Sequence, residues 1–485
     1  MTIGLDHDET REDEPKEECG VFGVVAPGRD VARITFFALM AMQHRGQESA
    51  GIAVAEQGHV TVFRDLGLVT DVFDENALRT LTGDMAIGHV RYSTTGANKW
   101  DNAQPVAHTR GDDIVALGHN GNLTNTGELR EEMELAGMPL NASTDSEIIT
   151  AMLAAEEGSL LRAVSRVMPR LVGAYSIVTI SGDELVAFRD AHGVRPLVIG
   201  RLDDDGWCVA SETCALDQIG AEMVRDVRPG EAVRLSADGI ESRQVLEGDQ
   251  PKRCVFEQIY FARPDSQMDG QTVWESRRAM GAELAREAPA DADLVVGLPD
   301  SGTPPAIGYA GASGIPYAEA VVRNRYVGRS FIQPDQAMRQ VGIRLKFNPL
   351  PAVIRGKRLV VVDDSIVRGN TTRKVVEMLL AAGAAEVHMR ICSPPIMWPC
   401  YYGIDMADRS ELVAAQHSVE EIAALTGADS LAYLSLEGLQ RALGKPADEY
   451  CRACFTGEYP IAVPDSSLKL RFEPAAAGPP DRLTT

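Results

Sequence analysis

Apolar positions along the chain follow two regimes. Between residues 19 and 246 the apolar runs are short and end in polar clusters rich in Gly, Asn and Ser. CGVFGVVAP, opening at Cys19, reads as a strand, and SAGIAVAEQGHVTVFRDLG reads as two strands joined at Gln57-Gly58. MAIGHVRYST and DIVALGHNGNLTN are strands running into loop-like tails, and SIVTISGDELVAFRD is a hairpin about Ser181-Gly182-Asp183. Two stretches have helical character: ARITFFALMAMQH at about 31–44, and TDSEIITAMLAAE, whose first Thr, Asp and Ser form an N-terminal cap signature. A strand-rich half with two helical stretches suggests an α+β layered domain.

The period changes after GDQPKR (248–253), which has the Gly, Pro and charge of a linker. Helix-like ESRRAMGAELARE (275–287) precedes the apolar strand DLVVGLP. GTPPAIGYAGA precedes a strand expected at PYAEAVV, and KRLVVVDDS precedes the helix TTRKVVEMLLAAGA and the strand EVHMRICS. Strands alternating with helices indicate a parallel α/β sheet. The expected organisation is a domain over 19–250, a second over 251–463, and a Pro/Ala-rich tail over 464–485 that is disordered.

At 485 residues, 45% hydrophobic and 24% charged, the chain has ordinary globular composition and room for two or three domains. No apolar run approaches the ~18 residues of a membrane helix. The first 18 residues lack the apolar core of a secretory signal, so the expected compartment is the cytoplasm. They hold eight acids and two bases, contribute 2 − 8 = −6 to the net charge of −23, and read as disordered. That charge argues against nucleic acid or an anionic membrane as partner. It does not exclude a small anion met by a few aimed groups. Eight cysteines in such a chain point to thiol chemistry, metal ligation or plain packing, not to a disulfide framework.

The sharpest feature is KRLVVVDDSIVRGNTTRKVVEMLLAAG (357–383). An apolar strand ends in Asp363-Asp364, a polar turn with Gly369 follows, and Thr371-Thr372 open a helix. Ligands of parallel sheets bind at the carboxyl ends of strands, and helix N-termini suit phosphate. Two carboxylates before such a cradle suit sugar hydroxyls or a Mg²⁺ that itself holds phosphates. The alternative is a buried strand with a solvated acidic cap. VVVDDSIVRGNTT resembles the phosphoribosyl pyrophosphate (PRPP) signature of type I phosphoribosyltransferases. The resemblance implies that Asp363 and Asp364 hold ribose and metal, and that Ser365, Arg368, Gly369, Asn370, Thr371 and Thr372 hold the 5′-phosphate. GLPDSGTPPA (297–306) is similar, more loosely, to the family's pyrophosphate loop, which puts Ser301 near the Mg²⁺. NRYVGRSFIQPDQAMRQVGIRLK (324–346), with four Arg and Lys346, resembles the family's basic lid over pyrophosphate.

Cys19 follows the acidic leader directly. A cysteine attacking an amide carbonyl needs a thiolate and a base. His44 or His89 could approach in space; alternatively, removing residues 1–18 frees the α-amino group of Cys19, whose pKa near ~7.7–8.0 suits a base. A lone cysteine is otherwise a small buried hydrophobe. CGVFG, QHRGQESAG (43–51), GHVRYSTTG (88–96), HNGNLTN (119–125) and STDSE (143–147) together resemble class II glutamine amidotransferases, which are N-terminal-nucleophile (Ntn) hydrolases with a layered αββα sandwich. The resemblance implies Cys19 as nucleophile, Asn120 and Gly121 as oxyanion hole, Arg91 on the glutamine α-carboxylate and Asp145 on its α-amino group.

Cys451-x-x-Cys454, Cys400 and Cys254 would suit Zn²⁺ or a [4Fe–4S] cluster if they meet, and unrelated buried thiols if they do not. PPIMWPCYYGID and YCRACFTGEYP resemble the cluster-binding subset of glutamine PRPP amidotransferases, which implies [4Fe–4S] on these four cysteines. Cys208, Cys214 and Cys392 read as packing residues, Cys392 being the nearest rival ligand. With all three signatures in order, residues 19–462 resemble the glutamine PRPP amidotransferases. That implies conversion of PRPP, glutamine and water to 5-phosphoribosylamine, glutamate and pyrophosphate, at the start of purine synthesis. It also implies Mg²⁺, removal of the leader as a propeptide, inhibition by purine nucleotides and a homotetramer. The alternatives are another glutaminase-coupled transferase, such as a hexosamine-forming one, and a non-catalytic PRPP-sensing regulator.

Overall fold

The computed structural model describes residues 19–92, 99–138, 140, 142–203, 206–248, 250–324, 347–406 and 408–463. They form two compact units. The first holds residues 19–248 together with Tyr401–Asp405 and residues 461–463; the second holds residues 250–400 and 406–460.

The first unit is built on two antiparallel sheets. Its strands are β1 (Gly20–Val25), β2 (Ser49–Glu56), β3 (His59–Leu66), β4 (Met85–Arg91), β5 (Val106–Arg110), β6 (Asp113–Leu123), β7 (Gly173–Ser181), β8 (Glu184–Arg189), β9 (Val198–Leu202), β10 (Gly206–Ala210), β11 (Ala221–Asp226), β12 (Glu231–Ser236) and β13 (Gly239–Gln244). One sheet runs β11-β9-β10-β1-β4-β2-β3 and the other β13-β12-β8-β7-β6-β5. Its helices include α1 (Val31–Ala41), α2 (Thr126–Leu135), α3 (Asp145–Ala155), α4 (Leu160–Val167) and α5 (Thr213–Ile219).

Side-chain alternation sets the layers. Val21 and Val25 of β1 join Ala53, Ile87, Ala116, Val178, Ile180 and Ala187 between the sheets. Phe22 and Val24 point the other way, against Leu39 and Met42 near α1 and Leu216 of α5. On the far side Ile177, Val186 and Phe188 meet Ile149, Leu153 and Leu161. The result is an αββα sandwich, the layering expected from the sequence. A strand such as β1 is buried on both faces, which is why its sequence is a continuous apolar run without alternation. Each such Val, Ile, Leu or Phe stabilises the fold by roughly 1.5–3 kcal/mol. The cap at the start of α3 differs from the sequence reading. Thr144 is the N-cap, but its side chain makes no capping bond, and Asp145 turns back to the chain instead.

The second unit carries a four-stranded sheet, the parallel α/β arrangement expected from the sequence. Strands β14 (Leu294–Gly297), β15 (Arg358–Asp363), β16 (Glu386–Ile391) and β17 (Ser430–Tyr433) lie side by side in chain order, all parallel. Helices α6 (Val273–Glu287), α7 (Thr303–Ser313) and α8 (Asn370–Ala381) belong to the same unit. A Thr272–Glu275 capping box starts α6. Pro304 and Pro305 fall in the first turn of α7, where a missing N–H leaves no helical bond unmade. Val361, Val375, Val376, Leu379 and Met389 share the core with Val296.

PYAEAVV is not the strand expected of it. It contributes one bridge, Tyr317 to Val295, and then Val321–Arg323, which pairs with Phe347–Pro349 outside the main sheet. The contact with β14 consists of Val295 N–H on the Pro316 carbonyl and Ala318 N–H on the Val295 carbonyl, and Pro316, having no N–H, cannot extend it on its N-terminal side. No helix among the described residues is long and apolar enough to cross a membrane.

Candidate functional site

In the first unit, Cys19 lies just ahead of β1, whose Gly20 is in register with Val90 of β4. Cys19 is buried, at 5% exposure. Its Sγ donates to the Tyr92 carbonyl at 3.4 Å. Its own carbonyl accepts from Arg45 Nε at 3.0 Å, and Arg45 Nη1 binds Glu212 Oε1 at 2.6 Å. Arg45 and Glu212 are both fully buried, and Ser211 Oγ accepts from Val21 N–H at 3.0 Å. The start of β1 is therefore anchored through its backbone, and among the described residues the sulfur bonds a single carbonyl. Burial pushes the Cys19 thiol up to about 11, against the opposing pull of the Tyr92 bond and of Arg91 and Arg45.

Among the described residues, neither histidine candidate is hydrogen-bonded to this sulfur. His44 Nε2 is 2.7 Å from Glu212 Oε1. His89 is driven down to about 3 by burial, and its Nε2 is 3.0 Å from the His119 carbonyl. That second contact joins β4 to β6 next to Asn120. Arg91, at the end of β4, is 2% exposed, with Nη1 3.7 Å from Glu48.

Asn120 is 1% exposed, and among the described residues its amide Nδ2 is a buried donor without a hydrogen-bond partner. Buried donors are ordinarily satisfied, so this group is open to a ligand or a water. Gly121 has φ +143°, and a Cβ there would lie 2.0 Å from the Ala174 carbonyl oxygen; only glycine fits. Asp145 is buried, and its carboxylate accepts from Leu123 N–H at 2.9 Å and Ser146 N–H at 2.8 Å. Burial works to raise it, but His119 and these bonds outweigh burial and hold it below the usual carboxylate range.

In the second unit, Asp363 ends β15 and Asp364 follows, 6% exposed. Ser301 Oγ donates to Asp364 Oδ1 at 3.0 Å and Ser365 Oγ to Oδ2 at 3.1 Å. The loop after β14 thus meets the acidic pair: Leu298 N–H binds the Val362 carbonyl at 3.0 Å. Gly369, with φ +85°, is the N-cap from which Asn370, Thr371 and Thr372 enter α8. Arg368 is turned to Glu411, with Nε to Oε2 at 3.2 Å, and the Thr372 side of the turn is buried. Lys346 and residues 325–346 of the expected lid lie outside the described residues.

The cysteines divide. Cys254 and Cys451 are register partners in a short parallel pair. Cys454 is three residues on, and its carbonyl accepts from the N–H groups of Met397 and Trp398, just before Cys400. The Cys454 thiol is pushed well up by burial and then by Cys254, Cys451 and Cys400, so the four share one neighbourhood. Among the described residues no three His, Cys, Asp or Glu are set in a geometry ready to hold a metal. Cys392 lies elsewhere: its N–H binds the Asp363 carbonyl, and burial and the two aspartates raise its thiol.

Comparisons with known proteins fit this geometry. A glutamine amidotransferase domain model matches residues 89–218, and a phosphoribosyl transferase domain model matches residues 274–392. The amidophosphoribosyltransferase of Mycobacterium tuberculosis is 53% identical over 463 residues, 93% of this chain and 88% of that one. The chain belongs to the amidophosphoribosyltransferase family. The Synechococcus elongatus amidophosphoribosyltransferase is 52% identical over 98% of this chain and 99% of that one. A solved structure of the B. subtilis glutamine PRPP amidotransferase, complexed with ADP and GMP, matches with a TM-score of 0.87 and 42% identity, over 93% of this chain and 99% of that one. As an amidophosphoribosyltransferase, the chain is both a glutamine amidotransferase and a pentosyltransferase.

Sequence reasoning passed over Arg45, Glu212 and His119. Each acts from behind a named residue, and each sits in a short polar cluster, QHRG, SETC or GHNG, that residue type alone does not distinguish from a loop.

Proposed function

We propose that Cys19 hydrolyses glutamine and that the turn after Asp363 binds the PRPP that receives the ammonia. The unpartnered Nδ2 of buried Asn120 carries the first half of this reading. In it, Arg91 and Asp145 grip the two ends of the amino acid, and the Cys19 thiolate attacks the side-chain amide. The carbonyl oxygen becomes an oxyanion facing Asn120 Nδ2 and the Gly121 N–H. Ammonia leaves, and water releases glutamate from the thioester. The raised pKa of the buried thiol calls for an adjacent base. With neither histidine on the sulfur, removal of residues 1–18 supplies one, the freed α-amino group of Cys19.

In the second unit Asp363, Asp364 and Ser301 suit the ribose hydroxyls and a Mg²⁺ carried by the substrate's pyrophosphate. The start of α8 offers its N–H groups to the 5′-phosphate. Departure of pyrophosphate leaves a cationic C1 that ammonia attacks. The converging Cys254, Cys400, Cys451 and Cys454 suit a [4Fe–4S] cluster by donor chemistry, with a structural role in cross-linking their segments. The relative solved with ADP and GMP supports purine nucleotides as inhibitors, and a cytoplasmic homotetramer completes the reading.

The test combines three measurements. Cys19→Ala abolishes glutamine-dependent but not ammonia-dependent phosphoribosylamine formation. Intact mass and N-terminal sequencing of active enzyme begin at Cys19. Iron and acid-labile sulfide are present together. An active enzyme retaining Met1–Glu18 refutes the base assignment, and zinc in place of iron refutes the cluster.

A further inference from the structure

The segment Tyr401–Asp405 comes from late in the chain yet belongs to the first compact unit. It is held there by bonds to its backbone. Asn122 Nδ2 donates to the Tyr401 carbonyl at 3.0 Å. Arg195, among the largest fully buried side chains, donates Nε at 2.8 Å and Nη2 at 2.7 Å to the Tyr402 carbonyl. The Tyr402 hydroxyl donates to the Ile461 carbonyl at 2.6 Å and accepts from the Ile461 N–H at 2.9 Å. What these bonds press into place is Gly403. A Cβ on it would lie 3.2 Å from Gly121 Cα and 3.3 Å from the Gly121 carbonyl carbon. A Cβ on Gly121 itself would run into Ala174 and Tyr175. Gly121 is thus packed closely against both β7 and a five-residue strap.

We propose that Tyr401–Asp405, gripped by Arg195, is a positioning strap that sets the Gly121 N–H at the angle the oxyanion needs. Arg195 and Gly403 are then positioning residues for the glutamine half-reaction, and neither touches glutamine. A forked, charge-assisted grip on one carbonyl fixes direction as well as distance, which a single neutral bond does not. An oxyanion donor acts through its preorganised aim, so a small shift weakens the transition state more than the bound substrate. The inference rests on Gly121 being an oxyanion donor, as proposed above.

The test uses full-length enzyme with Gly403→Ala, Arg195→Lys and, as control, Asn120→Ala. Gly403→Ala puts a methyl group against Gly121 at a φ of +116°. Arg195→Lys keeps the charge and removes the fork. Both are expected to lower kcat for glutamine hydrolysis by at least about tenfold, part of the ~10²–10³ that loss of one oxyanion donor costs. KM for glutamine and ammonia-dependent synthesis stay within about twofold, because Arg91, Asp145 and the PRPP turn are untouched. Gly403→Ala added to Asn120→Ala costs less than on its own, since both act on one hole. If Asn120→Ala slows hydrolysis while the two strap variants do not, the strap is refuted and the oxyanion reading stands. If Asn120→Ala has no effect, the oxyanion reading itself fails and the strap with it. A parallel fall in kcat, ammonia use and thermal stability would show a merely structural segment. Arg195→Lys alone decides the matter should Gly403→Ala not fold.

Discussion

Asn120→Ala separates function from stability with opposite expectations. The side chain is 1% exposed, and its Nδ2 has no partner among the described residues. A buried donor left unsatisfied costs the folded state about 1–3 kcal/mol, and truncation to Ala relieves that cost. The small void left behind works the other way by a similar amount, so net stability should change by less than about 1 kcal/mol. Catalysis has no such compensation. Loss of one oxyanion donor lowers turnover by about 10²–10³, equivalent to ~2.7–4 kcal/mol on the barrier. The assay is glutamate release at saturating glutamine and PRPP, beside ammonia-dependent synthesis and calorimetric melting of the same preparation. The expected result is glutamine-dependent kcat down by at least about a hundredfold, with ammonia-dependent kcat and melting temperature nearly unchanged. A variant that melts more than about 5 °C lower yet keeps glutamine turnover within tenfold would refute the reasoning and make Asn120 a packing residue.

Three further outcomes follow from the same geometry. With its thiol near 11, Cys19 of leader-bearing protein is only about one-thousandth thiolate at pH 8, so it alkylates far more slowly than after leader removal; equal rates for the two forms would contradict this. Asp145 is held below its ordinary range, so its contribution persists above the unfolded pKa and is lost only as pH falls through the depressed value. KM for glutamine should therefore not rise through this group between about pH 8 and pH 5, whereas Asp145→Ala raises it at least about tenfold throughout; a titration near pH 6 that vanishes in the variant would overturn the assignment. Asp364→Asn removes the charge that Ser301 and Ser365 both bind, and should raise KM for PRPP in ammonia-dependent synthesis by about 10–100-fold; an unchanged KM would place PRPP elsewhere.

Several features were legible from local pattern alone. The strands about Cys19, Gln57-Gly58 and Ser181-Gly182-Asp183 and the βα turn at Asp363–Thr372 depend on neighbouring residues, and the chain adopts them as read. PYAEAVV differs from its reading because apolar content does not specify a strand's partner: its end pairs with Phe347–Pro349 and not with the main sheet. The cap on α3 was misread in part because Asp145 serves the site and not its helix.

By itself the sequence determined which chemistry is available: a cysteine behind an acidic leader, an asparagine beside a glycine, and two carboxylates before a helix. Residue type and short spacing suffice for that, because strand, turn and helix start are local structures. Only the tertiary structure decided how those groups are held. It brings Arg45 and Glu212 behind Cys19, leaves Asn120 Nδ2 without a partner, and lays Gly403 against Gly121. These contacts join residues up to 282 positions apart, 403 − 121, and nothing short-range along the chain encodes them. Sheet pairing and burial make them; burial holds the Cys19 thiol up, while His119 and the backbone donors hold Asp145 down against it.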